Sequence, residues 1–171
     1  MTSILNTPML WVNHYIQDQL KDLGFGTIPF FPATPSTVND ISGYFPENGV
    51  MCTYDKMFKA RRSPFPHIKS EQGIYYFYAT AEEAIVSMVK ISEKILRLMD
   101  REDETAEEIN NWCRNQASIL VEGEYLTPNF NFHHFKLYQL QEVKDIINFN
   151  TVRTYSGTKF IIEYDYNAIS L

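Results

Sequence analysis

The stretch Ile74-Tyr-Tyr-Phe-Tyr-Ala79 limits what this chain can fold into more than any other. In a strand, alternate side chains point to opposite faces, so Ile74, Tyr76 and Tyr78 share one face and Tyr75, Phe77 and Ala79 the other. Both sets are apolar or aromatic, and a strand of that kind needs protein against both faces. Thr80-Ala-Glu-Glu83 follows at once as a capping box, and Ile85, Met88, Val89, Leu96 and Met99 then mark one face of a helix running to about residues 98–101. A helix layer is therefore expected on one side of the strand and a neighbouring subunit on the other.

Upstream, Val50 to Met57 alternates weakly, with Val50, Cys52 and Tyr54 against Met51, Thr53 and Asp55, which predicts a companion strand with one wet face. In the segment between Asp55 and Glu71 lie five cations and no acidic residue: Lys56, Lys59, Arg61, Arg62 and Lys69, interleaved with Phe58, Phe65 and His67. The whole chain carries a net charge of -6, so the remainder is more acidic still. This polarity suits binding by charge complementarity. The loop has three open readings: plain solvated surface, a phosphate contact with nucleic acid, or an inter-subunit contact with the acidic segment that contains Glu104, Glu107 and Glu108. A pI near 5.2 argues against free binding to nucleic acid.

Elsewhere, Thr7-Pro8 reads as an N-cap and first helical residue. Val12, Ile16, Leu20 and Leu23 recur at helical spacing, and Gly24 offers a left-handed cap, which predicts a helix over 8–23. Pro29 confines Thr27–Phe31 to an edge strand or linker, and 32–49 has loop chemistry. Thr105-Ala-Glu-Glu108 looks like a second capping box before Ile109, Trp112 and Cys113, predicting a shorter helix to about 117. The alternation of Phe130–Leu140 breaks at His133-His134, where a β-bulge would restore a common inward face. Phe160, Ile162, Tyr164 and Tyr166 alternate cleanly as a closing strand, and 141–157 reads as a long loop. At 171 residues and 44% hydrophobic composition the chain fits one domain over 1–171. Its segments are the helix 8–23, the Pro-rich loop 32–49, the strand–loop–strand unit 50–79, the helical pair 80–117 and the strands 130–167. The predicted class is α+β: an antiparallel or mixed sheet of about four to five strands, helices on one face, and long loops.

Few residues suggest chemistry. Nucleotide-binding glycine loops, nucleophile elbows and zinc-protease helices have no counterpart in the sequence, so no cofactor, metal or catalytic group is assigned. His133 and His134, with Asp165, form the one conceivable enzymatic cluster, although neighbouring strand residues face opposite ways. Cys52 and Cys113 stand in no Cys-x-x-Cys spacing and read as buried free thiols. The sequence shows neither a signal-peptide pattern nor an 18-residue apolar run, so a soluble protein made in the cytoplasm, with no membrane partner, is expected.

The order of these elements resembles the small neck and tail proteins of tailed bacteriophages, especially tail terminators and tail-completion proteins. The residues that carry the likeness are the leading helix, Ile28-Pro-Phe-Phe-Pro32, the strand and loop from Tyr54 to Arg62, and Glu71-Gln72 opening an aromatic strand before a long helix. Asp103-Glu-Thr-Ala-Glu-Glu-Ile-Asn-Asn-Trp112, Phe130-Asn-Phe-His133 and Tyr164-Asp-Tyr166 complete it. The resemblance implies a non-enzymatic virion protein: a self-assembled ring, commonly hexameric, that ends the tail tube or sheath and joins the tail to the head connector. Its implied partners are further copies of itself, the tube or sheath protein and the connector proteins, with DNA passing through the lumen. The Pro-rich stretch 29–46 and the loop 141–157 depart from the family pattern and are candidate arms. The candidate contact residues are Lys56, Phe58, Lys59, Arg61, Arg62, Phe65, Lys69, Tyr75, Phe77, Glu104, Glu107 and Glu108. A neck adaptor, or a nucleic-acid-binding accessory protein stacking bases on Tyr54, Phe58 and Phe65, is the alternative.

Overall fold

The computed structural model describes residues 6–32, 50–58, 67–116, 118–121, 123–147 and 155–169. The first helix, α1, spans Pro8–Leu20 and ends in a 3-10 turn, Lys21–Leu23. Its boundaries follow the sequence signals: the Thr7 side chain accepts from the Leu10 N–H, proline occupies the first turn, and Gly24 closes the helix at φ 91°. Strands β1 (Phe30–Pro32), β2 (Val50–Phe58) and β3 (Lys69–Thr80) follow, then helices α2 (Ala81–Met99) and α3 (Asp103–Gln116). A small hairpin, β4 (Ile119–Val121) and β5 (Glu124–Leu126), precedes the long strands β6 (Phe130–Ile147) and β7 (Tyr155–Ala168).

Five strands form one mixed sheet in the order β1-β2-β3-β7-β6, parallel only between β1 and β2. The fold is α+β, with the three described helices against the sheet. One sheet face carries Cys52, Tyr75, Phe77, Phe160, Ile162, Tyr164, Phe132 and Phe135, all buried, in a single cluster with Trp11, Ile16 and Leu20 of α1, Ile91 and Ile95 of α2, and Ile109 of α3. Aromatic stacking ties the central strands together: the Tyr75 and Phe160 rings lie 5.1 Å apart and the Phe77 and Phe160 rings 5.5 Å apart. Gly157 makes this close pairing possible, because a Cβ there would lie 1.7 Å from the Phe77 carbonyl oxygen.

The bulge expected at the histidines is present. Phe132 pairs with Tyr166 and Phe135 with Tyr164, so three steps along β6 match two along β7, and both phenylalanines turn inward. Beside the bulge, α3 covers the strand's outer edge. The Asn110 side-chain amide donates to the Phe132 carbonyl and accepts from the Phe132 N–H, each at 2.8 Å, as a neighbouring strand would.

Two expectations are corrected. Thr105 does not cap a helix beginning after it. The helix starts at Asp103, and the fully buried Thr105 hydroxyl donates to the Leu98 carbonyl at 2.9 Å while accepting from the Arg101 N–H at 3.2 Å. It ties the end of α2 to the start of α3 across Glu102, whose φ is +53°. The supposed loop 141–157 is largely strand, because β6 runs to Ile147 and β7 begins at Tyr155; cross-strand pairing sustains a polar segment that lacks a strand signature of its own. The β4–β5 hairpin went unpredicted, although Ile119-Leu-Val-Glu-Gly-Glu-Tyr-Leu126 holds its signal: two short apolar runs around a glycine, which sits at φ 85°. The expected loop 32–49 falls, from residue 33 on, outside the described residues.

Candidate functional site

The antiparallel pairing of β2 and β3 brings the two ends of the basic segment together, with Lys56 opposite Gly73 and Phe58 opposite Glu71. Glu71 is 2% exposed and accepts hydrogen bonds from the hydroxyls of Tyr164, at 2.8 Å, and Tyr166, at 2.9 Å. The Lys56 ammonium lies 3.9 Å from the same carboxylate. Burial, reinforced by the adjacent Glu71 carboxylate, pushes the ionisation of both tyrosines well above the ordinary phenol range. Lys56 also borders a cleft of about 260 Å³ between Thr7, Leu10 and Asn13 of α1 and Pro32 and Tyr54 of the strands. Asn13, which lines the cleft, accepts a hydrogen bond from the Tyr75 hydroxyl at 2.5 Å. The first cation of the basic segment is thus committed to an internal polar cluster, whereas Lys69 is exposed. Lys59, Arg61, Arg62 and Phe65 lie outside the described residues.

Tyr75 and Phe77 are not contact residues for a partner. Both are fully buried on the helix-facing side of the sheet. Alternation along a strand that is apolar on both faces cannot say which set joins the helix-facing core, and the opposite set lies on the other face of the sheet. On that second face Met51, Thr53 and Tyr78 are buried, while Ile74, Tyr76 and Ile161 keep partial exposure and Tyr138 is 46% exposed. Polar side chains pair across the strands of this face: the Ser70 hydroxyl donates to Asp165 at 2.6 Å, and the Gln72 amide to Glu163 at 3.4 Å. The ammonium groups of Lys159 and Lys136 sit over the rings of Tyr76, at 5.4 Å, and Tyr138, at 4.7 Å.

The acidic segment is largely exposed and partly neutralised within the chain. Arg101 forms ion pairs with Glu104, at 3.7 Å, and Glu108, and donates to the Arg97 carbonyl, while Glu107 faces solvent. Burial first, then the Glu108 carboxylate, raises the Tyr15 hydroxyl to about 12. The two histidines diverge as strand geometry requires, His133 to Asn167 and His134 to Asp103 at 3.0 Å, while Asp165 faces Ser70. Among the described residues no group of three or more His, Cys, Asp or Glu side chains is placed to hold a metal ion. Cys52 and Cys113 are free and buried, and burial raises the Cys113 thiol to about 11. No described helix is long and apolar enough to cross a membrane. Comparison with protein-family models and with curated proteins finds no match to this chain.

Proposed function

We propose that this chain is a non-enzymatic assembly subunit of a bacteriophage neck or tail, forming a ring that ends the tail tube or sheath and joins it to the head connector. The observation that carries this reading is the asymmetry of the sheet. Three described helices pack against one face; on the other Met51, Thr53 and Tyr78 are buried, and a strip of partly exposed Ile74, Tyr76 and Ile161 with the exposed Tyr138 remains, lysines lying over the Tyr76 and Tyr138 rings. Aromatic side chains with an apolar body and a polar tip are the type enriched where proteins meet. The exposed acidic residues Glu104 and Glu107 and the basic segment 56–69 supply unlike charges on one molecule, which a head-to-tail contact requires. The order of elements resembles that of tail terminators over most of the chain. Negative-stain microscopy of the concentrated protein tests the reading: closed rings of uniform diameter support it, and dispersed single subunits at every concentration reject it.

The lysine–tyrosine pairs on the second sheet face favour one further reading, an accessory protein that stacks single-stranded nucleic acid. That reading requires binding of an oligonucleotide that weakens steeply with salt, and no binding at low salt removes it.

A further inference from the structure

We infer that the cleft between α1 and the strands is a binding site for a free α-amino acid with an apolar side chain. The inference stands apart from assembly and does not depend on it. About 260 Å³ is less than drug-sized ligands occupy, so the fitting ligand is small. Asn13 carries the argument. It is 8% exposed, and the Tyr75 hydroxyl holds its side-chain oxygen, whereas its NH2 group donates to no described residue. Among the described residues no side-chain nitrogen or oxygen is both sealed from solvent and unpaired, so this NH2 group reaches the cleft that Asn13 lines. Such a donor, set in an otherwise buried side chain, gains free energy when an acceptor meets it.

The groups around that NH2 define two poles. From the helix side, Thr7 lines the cleft as the N-cap of α1, whose first turn holds no acidic residue, so the partial positive charge of the helix terminus is left uncompensated there. Lys56 adds a cation, shared with the buried Glu71 at 3.9 Å. These groups suit a carboxylate. Asp55, also on the cleft wall, is exposed, and one of its oxygens accepts from the Lys56 N–H at 2.8 Å. No cation among the described residues pairs with its carboxylate, which suits an ammonium. Charge counting then decides the ligand class. A bare anion would meet Asp55 on the wall and Glu71 beside Lys56, and a bare cation would meet Lys56 and the helix terminus. A small zwitterion satisfies both poles. Met9, Leu10 and Pro32 supply apolar wall for its side chain.

Isothermal titration calorimetry of the full-length protein with L-leucine, N-acetyl-L-leucine and L-leucinamide separates the two poles, because the second ligand lacks the ammonium and the third the carboxylate. Leucine is expected to bind, and each blocked analogue to bind about tenfold or more weakly, as loss of a charge-assisted hydrogen bond requires. Asp55→Asn changes an exposed residue and keeps an oxygen for the Lys56 N–H. It should leave the circular dichroism spectrum unchanged, weaken leucine by about tenfold, and leave N-acetyl-leucine no weaker than before. Asn13→Asp keeps an acceptor for the Tyr75 hydroxyl but replaces the NH2 donor with a carboxylate oxygen, and as a folded protein it should lose leucine binding altogether. No heat of binding with leucine up to about 10 mM overturns the proposal. So does a blocked analogue that binds as tightly as leucine, or a folded Asp55→Asn variant that keeps full affinity for it.

Discussion

Replacing Glu71 with leucine should be among the most damaging conservative-volume changes in this protein. The carboxylate is 2% exposed and accepts from two hydroxyls, Tyr164, which is fully buried, and Tyr166, which is 8% exposed. Leucine would leave both donors facing apolar surroundings. An orphaned buried polar group costs about 1–3 kcal/mol, and Tyr166, at the rim, falls at the lower end, so the expected loss is about 2–4 kcal/mol. That is a large share of the roughly 5–15 kcal/mol that holds a domain together. The triple variant Glu71→Leu, Tyr164→Phe, Tyr166→Phe deletes the orphaned hydroxyls too, and should recover about half of the loss although it removes more hydrogen-bonding atoms. Urea denaturation followed by far-ultraviolet circular dichroism measures both. A single variant costing less than about 1 kcal/mol, or a triple variant less stable than the single, would refute the assignment of Glu71 as the acceptor that satisfies this cluster.

Three further outcomes are expected. Gly157→Ala would force a Cβ to within 1.7 Å of the Phe77 carbonyl oxygen, a backbone atom that can yield only if β3 and β7 part, so a loss of about 3 kcal/mol is expected in thermal unfolding; an unchanged midpoint would contradict the close approach. Tyr15 at about 12 and Cys113 at about 11 both lie above their ordinary values of 10.0 and 9.0, because folding keeps them neutral. Their contribution to stability is therefore fully present below about pH 9 and is lost as pH rises toward 12, so the urea midpoint should be level from pH 7 to 8.5 and then fall; a flat profile through pH 11 would contradict the burial. Arg61→Glu with Arg62→Glu should leave the circular dichroism spectrum unchanged and weaken assembly, and normal assembly of that folded variant would count against a contact role for the basic loop.

Local chemistry made much of the fold legible. Thr7-Pro8 and Gly24 bracket α1 because capping needs particular side chains at particular backbone angles, and those requirements are written in the sequence. The broken parity at His133-His134 announced the bulge because Phe130, Phe132 and Phe135 could not otherwise face one core. Features decided by distant parts of the chain were harder to read. Thr105 occurs in a capping-box pattern, yet the Leu98 carbonyl at the end of the preceding helix claims its hydroxyl. Gln141 to Ile147 looks like loop, and its strand exists because β7 runs alongside. For the candidate site, charge and aromatic content single out a segment but do not give the orientation of its side chains. The sheet turned Tyr75 and Phe77 inward and left Ile74 and Tyr76 on the second face. Lys56 was read as a surface cation, whereas its head group approaches a buried carboxylate contributed by the neighbouring strand.

Whether the proposed subunit assembles is read from the mass of the purified protein in solution, by light scattering coupled to size exclusion over a series of concentrations and salt levels. Self-assembly gives a discrete closed multiple of the 20.0 kDa chain that persists on dilution and loosens as salt screens the charge pairs between copies. A mass that stays at one subunit at every concentration and salt level would contradict it.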